Sequence, residues 1–205
     1  MPRDSRAPAL TLGTGDALLV VDVQNDFLPG GSLAVPDGDA VIAPLNRCLA
    51  AWRVRGLPVF ATRDWHPPEH CSFRAQGGCW PAHCVVGTAG AEIASGLALL
   101  SSTVVVSKGT ARDHDAYSGF EGTDLDARLQ EKHVRRVFVG GLATEYCVLN
   151  TVRDARARGY AVVVLEDAIR AIDVRPGDGQ KAKDEMTRLG AVLIRGDVLV
   201  GRGPP

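Results

Sequence analysis

Six short apolar runs recur along the chain, at 17–22 (ALLVVD), 58–64 (PVFATRD), 103–108 (TVVVSK), 135–140 (RRVFVG), 161–166 (AVVVLE) and 191–194 (AVLI). Each is strand-sized and apolar on both faces, so each must be covered from both sides. The stretches between them carry helical periodicity. In 39–55, Val41, Leu45, Leu49 and Trp52 recur at helical spacing, and Gly56 follows as a stop signal. In 123–132, Thr123 and Asp126 form a capping-box pattern; 144–158 and 177–189 also read as helices, the latter ending at Gly190. Strands alternating with helices predict a doubly wound α/β fold, a six-stranded mainly parallel sheet with helices on both faces. With 205 residues, 45% of them hydrophobic, the chain suits a single domain over 1–205, with its core at about 17–194. The long irregular inserts, 66–102 and 109–122, are where function tends to sit.

A formal net charge of −1 gives no electrostatic reason to expect nucleic acid or an anionic membrane as partner. Residues 1–15 hold no sustained apolar run, so neither a signal peptide nor an anchor is expected. Five cysteines, an odd number in a chain this long, predict reduced thiols and a cytoplasmic protein. A homo-oligomer is compatible with the sequence.

In open α/β sheets, chemistry gathers at the carboxyl ends of the strands. The first four runs end in, or lead into, Asp22, Asp64, Lys108 and Cys147. Taken singly, Cys147 is a small buried hydrophobe, Asp22 a strand-end cap and Lys108 an exposed lysine. On one rim they become a thiol nucleophile, a proton acceptor and a cation that steadies thiolate and oxyanion. Thr144 is expected to cap the following helix, placing Cys147 in a first turn where free N–H groups and Lys108 lower its pKa. Asp64 and His66, with His70 and His83 downstream, make up a carboxylate and imidazole set suited to one divalent transition metal ion, with zinc, manganese and iron all compatible. His114 and His133 read as surface residues. Cys71, Cys79 and Cys84 compete as structural-zinc ligands, but their spacings match no CxxC knuckle. GTAGAE is too short a glycine pattern to indicate a nucleotide.

The segments VDVQNDFLPGGSLAV, RDWHPPEHCSF, WPAHCVVGTAGAE, SKGT, DAYSGF and GGLATEYCVLNT resemble those of nicotinamidases among the isochorismatase-like cysteine hydrolases. The resemblance runs from about residue 17 to about 194. It implies a triad of Asp22, Lys108 and Cys147, and a metal ion, zinc foremost, held by Asp64, His66 and His83, with His70 less firmly indicated. It implies an oxyanion hole from the N–H groups of Ala143 and Cys147, beside a cis peptide at Leu142–Ala143. Phe27, Trp80 and Tyr117 would wall the substrate pocket. The implied reaction is hydrolysis of nicotinamide to nicotinic acid and ammonia in NAD salvage, with pyrazinamide as a related substrate. The alternatives are a relative acting on N-carbamoyl or ureido substrates without a metal, a two-His-one-carboxylate iron oxygenase, or a non-enzymatic redox-sensing or structural-zinc protein.

Overall fold

The computed structural model describes residues 10–199; residues 1–9 of the stretch read as lacking a signal peptide, and the last residues of the 1–205 span, lie outside it. Strands β1 (Asp16–Val21), β2 (Val59–Asp64), β3 (Val104–Lys108), β4 (Arg136–Leu142), β5 (Ala161–Arg170) and β6 (Val192–Ile194) form one sheet in the order β3-β2-β1-β4-β5-β6. Every pairing is parallel. Parallel neighbours need crossover connections. Helices α1 (Ile42–Arg55), α2 (Leu125–Glu131), α3 (Leu149–Ala157) and α4 (Asp178–Arg188) supply four of them. The β2-to-β3 crossover is irregular apart from two 3-10 turns, Arg74–Gln76 and Ala89–Ala91.

The side-chain period of two divides each strand between two cores. From β1, Leu18 and Val20 join Leu45, Leu49 and Trp52 of α1. Leu19 and Val21 join Leu125, Leu129, Val152 and Met186 of α2, α3 and α4 on the other face. Trp52 meets Phe138 edge-on at 5.0 Å between ring centroids. Among the described residues, no helix is long and apolar enough to cross a membrane.

Three local expectations are corrected. Asp22 lies just past β1 rather than in it, because the backbone turns to φ 49° there, a left-handed conformation that aspartate tolerates better than most residues. Thr144 does not cap the next helix. Ala143 takes that position in an extended conformation, and Thr144–Val148 forms a wide π-helical turn before α3. The capping box at Thr123 and Asp126 does not form either, since the N-cap of α2 is Asp124. The Thr123 hydroxyl donates instead to Gly119 O at 2.6 Å, while Asp126 accepts from Tyr160 Oη at 2.7 Å.

Candidate active site and metal centre

Strand order reverses around β1, which lies between β2 and β4. The crevice at such a switch point is where open α/β sheets place ligands. Four adjacent strands deliver Lys108, Asp64, Asp22 and the Cys147 turn to it, all buried. Lys108 Nζ lies 2.9 Å from Asp22 Oδ2, 3.4 Å from Cys147 Sγ and 3.1 Å from Ala116 O, and it also donates to Asp64 Oδ1. Thr62 Oγ1 donates to Asp22 Oδ1 at 2.6 Å. Asp22 Oδ2, by contrast, has no aligned hydrogen bond. Its contact with Nζ is charge attraction, and the oxygen keeps a lone pair free.

The charges of this cluster set one another. Burial would push Lys108 down, but Asp22 and Asp64 outweigh it and hold the ammonium charged well above the usual range. Burial works against the Asp64 carboxylate too, yet Lys108 holds it below the usual carboxylate range. Asp22 is pushed up, by burial first and Asp64 second, against the pull of Lys108. The Cys147 thiol is also pushed well up, by burial and the two carboxylates, with Lys108 opposing. The direction is opposite to the lowered pKa expected from a helix start, so attack by sulfur calls for a base. Sγ and carboxylate oxygens of Asp22 and Asp64 lie within 4.8 Å of one another, so the base is at hand.

Ligand atoms of Asp64, His66 and His83 also fall within 4.8 Å of one another. His66 Nδ1 donates to Gly109 O and His83 Nδ1 to Pro81 O, both at 2.8 Å. Pairing Nδ1 with a carbonyl leaves Nε2 as the lone-pair nitrogen on both rings, the arrangement metal-binding imidazoles need. Burial pushes His83 down, which favours the neutral ligand form. Gly109 sits at φ +60°, and a Cβ there would lie 2.4 Å from His66 Cε1, so only glycine lets its carbonyl reach the ring. The donor set and its hydrogen bonds therefore fit a divalent metal ion.

A small pocket opens beside both clusters, lined by Phe27, Leu33, Trp80, Tyr117, Ala143, Tyr146 and Cys147 among others. Trp80 Nε1 donates to Tyr117 Oη at 3.0 Å, and Tyr146 packs edge-on to Trp80 at 5.1 Å. A wider cleft of about 550 Å³ lies between Arg53, Leu57, Ser101 and Lys132. No nucleophile or ligand set converges there, so the smaller pocket is the candidate site.

A model of the isochorismatase domain matches residues 16–197. The chain belongs to the isochorismatase family. It is 39% identical over 198 residues to the nicotinamidase of Escherichia coli, covering 86% of this chain and 93% of that one. The crystal structure of the pyrazinamidase of Pyrococcus horikoshii in complex with zinc superposes with a TM-score of 0.85 at 46% identity, covering 88% of this chain and 99% of that one. PnC1 of L. infantum, in complex with nicotinate, gives a TM-score of 0.87 at 39% identity, covering 93% and 98%.

In this isochorismatase-family site, the fold brings Asp22, Lys108, Cys147 and Ala143 together, joins Asp64 to His66 and His83, and has Phe27, Trp80 and Tyr117 line the same pocket. Leu142–Ala143 is cis. His70 stacks on His66 at 4.0 Å between centroids, but both its nitrogens are engaged. Nε2 faces His114 O at 3.2 Å and so carries the proton, while Nδ1 is paired with Ser72 Oγ at 2.8 Å. Ligand atoms of His66, His70 and Asp115 nonetheless fall within 4.8 Å of one another, so His70 stays beside the candidate metal centre. A ligand role for His70 predicts that His70→Ala loses metal content, as measured by elemental analysis of the dialysed protein. His114 and His133 are exposed, and among the described residues no potential metal group includes Cys71, Cys79 or Cys84. Sequence reasoning missed Thr62, Tyr146 and Phe73. Phe73 sets its ring edge-on to all three histidines, at 5.5 to 5.7 Å. Only Phe73 carried a signal, as the apolar residue in HCSF between the histidines.

Proposed function

We propose that the protein is a cysteine amidohydrolase that converts nicotinamide to nicotinic acid and ammonia in NAD salvage, accepts pyrazinamide, and works in the cytoplasm. The observation that carries the reading is the buried Cys147 thiol, 3.4 Å from Lys108 Nζ and beside a buried carboxylate with a free lone pair, at the edge of an aromatic pocket. The names of the E. coli and P. horikoshii relatives support the substrate class.

Cys147 Sγ attacks the amide carbonyl while Asp22 Oδ2 takes the thiol proton. The developing oxyanion is met by the N–H groups of Ala143 and Cys147. Supporting this, the Ala143 N–H makes no hydrogen bond among the described residues. Asp22 hands the proton to the departing ammonia, leaving a thioester. Asp22 then takes a proton from water as it adds to the thioester, releasing the acid and the thiol. Lys108 keeps Asp22 oriented and balances its charge throughout. Phe27, Trp80 and Tyr117 stack on the heteroaromatic ring, holding the carbonyl within reach of sulfur.

Asp64, His66 and His83 would hold the metal ion, zinc foremost as in the P. horikoshii relative, although manganese and iron suit the same donors. When bound, such an ion supplies a Lewis-acid position that fixes the ring nitrogen. His66→Asn should then raise KM at least as much as it lowers kcat; a fall in kcat alone would assign the His66 position to water activation instead.

The direct test is ammonia release from nicotinamide by the purified, reduced protein. Turnover that stops on chelation and returns with added zinc supports the assignment. A metal-loaded protein that releases no ammonia would refute it.

A further inference from the structure

We infer that Gln24 and Asp26 are positioning residues that set the Asp64, His66 and His83 ligands in place before any ion enters. The inference rests on reading those three residues as metal ligands. Neither Gln24 nor Asp26 touches the reacting atoms; each acts through the backbone of the ligand segments.

Gln24 is fully buried. β1 ends at Val21, and the chain turns away at Asp22, so Asp64 at the end of β2 has no strand residue beside it on that side. The Gln24 carboxamide takes that place. Its Nε2 donates to Asp64 O at 2.8 Å and its Oε1 accepts from Asp64 N at 2.7 Å, as a peptide group of a neighbouring strand would. The second Nε2 proton goes to Ala91 O, also at 2.8 Å. One side chain thus extends the sheet by a rung, and the residue held by that rung is the carboxylate ligand.

Asp26 does the equivalent for the histidines. Its Oδ2 accepts from Cys84 N at 2.7 Å. Cys84 directly follows His83 and sits at φ 47°, a conformation that a non-glycine residue holds only when its surroundings impose it. The Cys84 carbonyl accepts from His66 N at 3.0 Å. Asp26, Cys84 and His66 are therefore linked through consecutive hydrogen bonds, with His83 the residue directly before Cys84. Gly90 completes the arrangement. A Cβ there would lie 2.2 Å from Asp26 Oδ2, and Asn25 Nδ2, donating to Ala89 O at 2.7 Å, holds the glycine against the carboxylate. The glycine of GTAGAE packs a side-chain carboxylate, not a phosphate.

The test is zinc affinity of the chelator-stripped full chain, by competition with a chromophoric chelator, with circular dichroism to establish folding. Second-sphere partners of this kind carry roughly 10- to 100-fold in metal affinity, and Gln24→Met and Asp26→Ala are expected to weaken binding by about that factor. Asp26→Asn keeps an oxygen for the Cys84 N–H and should bind closer to wild type than Asp26→Ala does. Folded Gln24→Met and Asp26→Ala chains that bind zinc like wild type would overturn the inference. So would an Asp26→Asn chain as weak as Asp26→Ala, which would indicate charge rather than positioning. If Gln24→Met does not fold, the two Asp26 variants decide the question. A wild-type chain that takes up no zinc overturns the ligand reading itself, a result separable from these.

Discussion

Lys108→Met is expected to lose activity and much of its stability together. The substitution keeps most of the side chain's volume but removes the ammonium that faces Asp22, Asp64 and Cys147 together. Two carboxylates would then share a buried site within 4.8 Å of each other. Removing one partner of a buried ion pair typically costs about 3–5 kcal/mol, because the remaining charge is left uncompensated. In a chain of this size each kcal/mol lowers Tm by roughly 2–4 °C, so a fall of about 6–20 °C is expected on thermal unfolding of the metal-free protein. The double variant Lys108→Met/Asp22→Asn removes the repulsion as well, and should recover part of the lost Tm with no recovery of ammonia release. A single variant that melts within the experimental error of wild type would show that the cluster is hydrated, contrary to its burial here.

Cys147→Ala should behave in the opposite way: nearly full stability and almost no turnover. The residue is 5% exposed, and replacing a thiol by a hydrogen leaves a small void, with a cost well below the roughly 2–5 kcal/mol of deleting a large side chain. Turnover has no such margin. Removing the nucleophile of a triad that acts as a unit costs on the order of 10⁴- to 10⁶-fold in kcat, the remainder coming from binding and the oxyanion hole. Ammonia release from nicotinamide should drop by at least that lower factor while ring binding persists, measured by fluorescence of the pocket's Trp80. Retention of more than about one part in a hundred of the wild-type rate, far above what loss of a covalent route allows, would mean that sulfur is not the nucleophile. Mass spectrometry of acid-quenched wild-type protein should, in parallel, show the pyridine acyl group on Cys147.

The sheet and the groups at its rim were legible in the sequence, for a simple physical reason. Apolar runs buried on both faces admit one class of sheet, and in that class the residue after each strand lies on a common edge. Asp22, Asp64, Lys108 and Cys147 could therefore be grouped across more than a hundred residues without coordinates. What was not legible depends on partners with no sequence pattern. The hydrogen-bond partners of His70 are a carbonyl 44 residues away and the Ser72 hydroxyl, and no spacing announces the first. Thr144 is displaced from its cap because Ala143 adopts an extended backbone ahead of a π-helical turn. The upward push on the Cys147 thiol comes from burial and two anions set against one cation, and no spacing rule weighs those effects. The roles of Gln24 and Asp26 depend on where β1 stops, which is fixed by the left-handed turn at Asp22.

The contact between Asp64 and Lys108 also bears on how the edge of the sheet is aligned. The two residues are direct partners in the β2–β3 ladder, and β3 is a five-residue edge strand with Val105 partly in solvent. So short a strand has few apolar contacts with which to fix its alignment, and a slip of one residue would reverse the face of every side chain. Slipped in that way, Lys108 would leave two buried acids without a cation. The charges that prepare the thiol for attack thus also act as a register key, penalising the misaligned edge more strongly than its valines could.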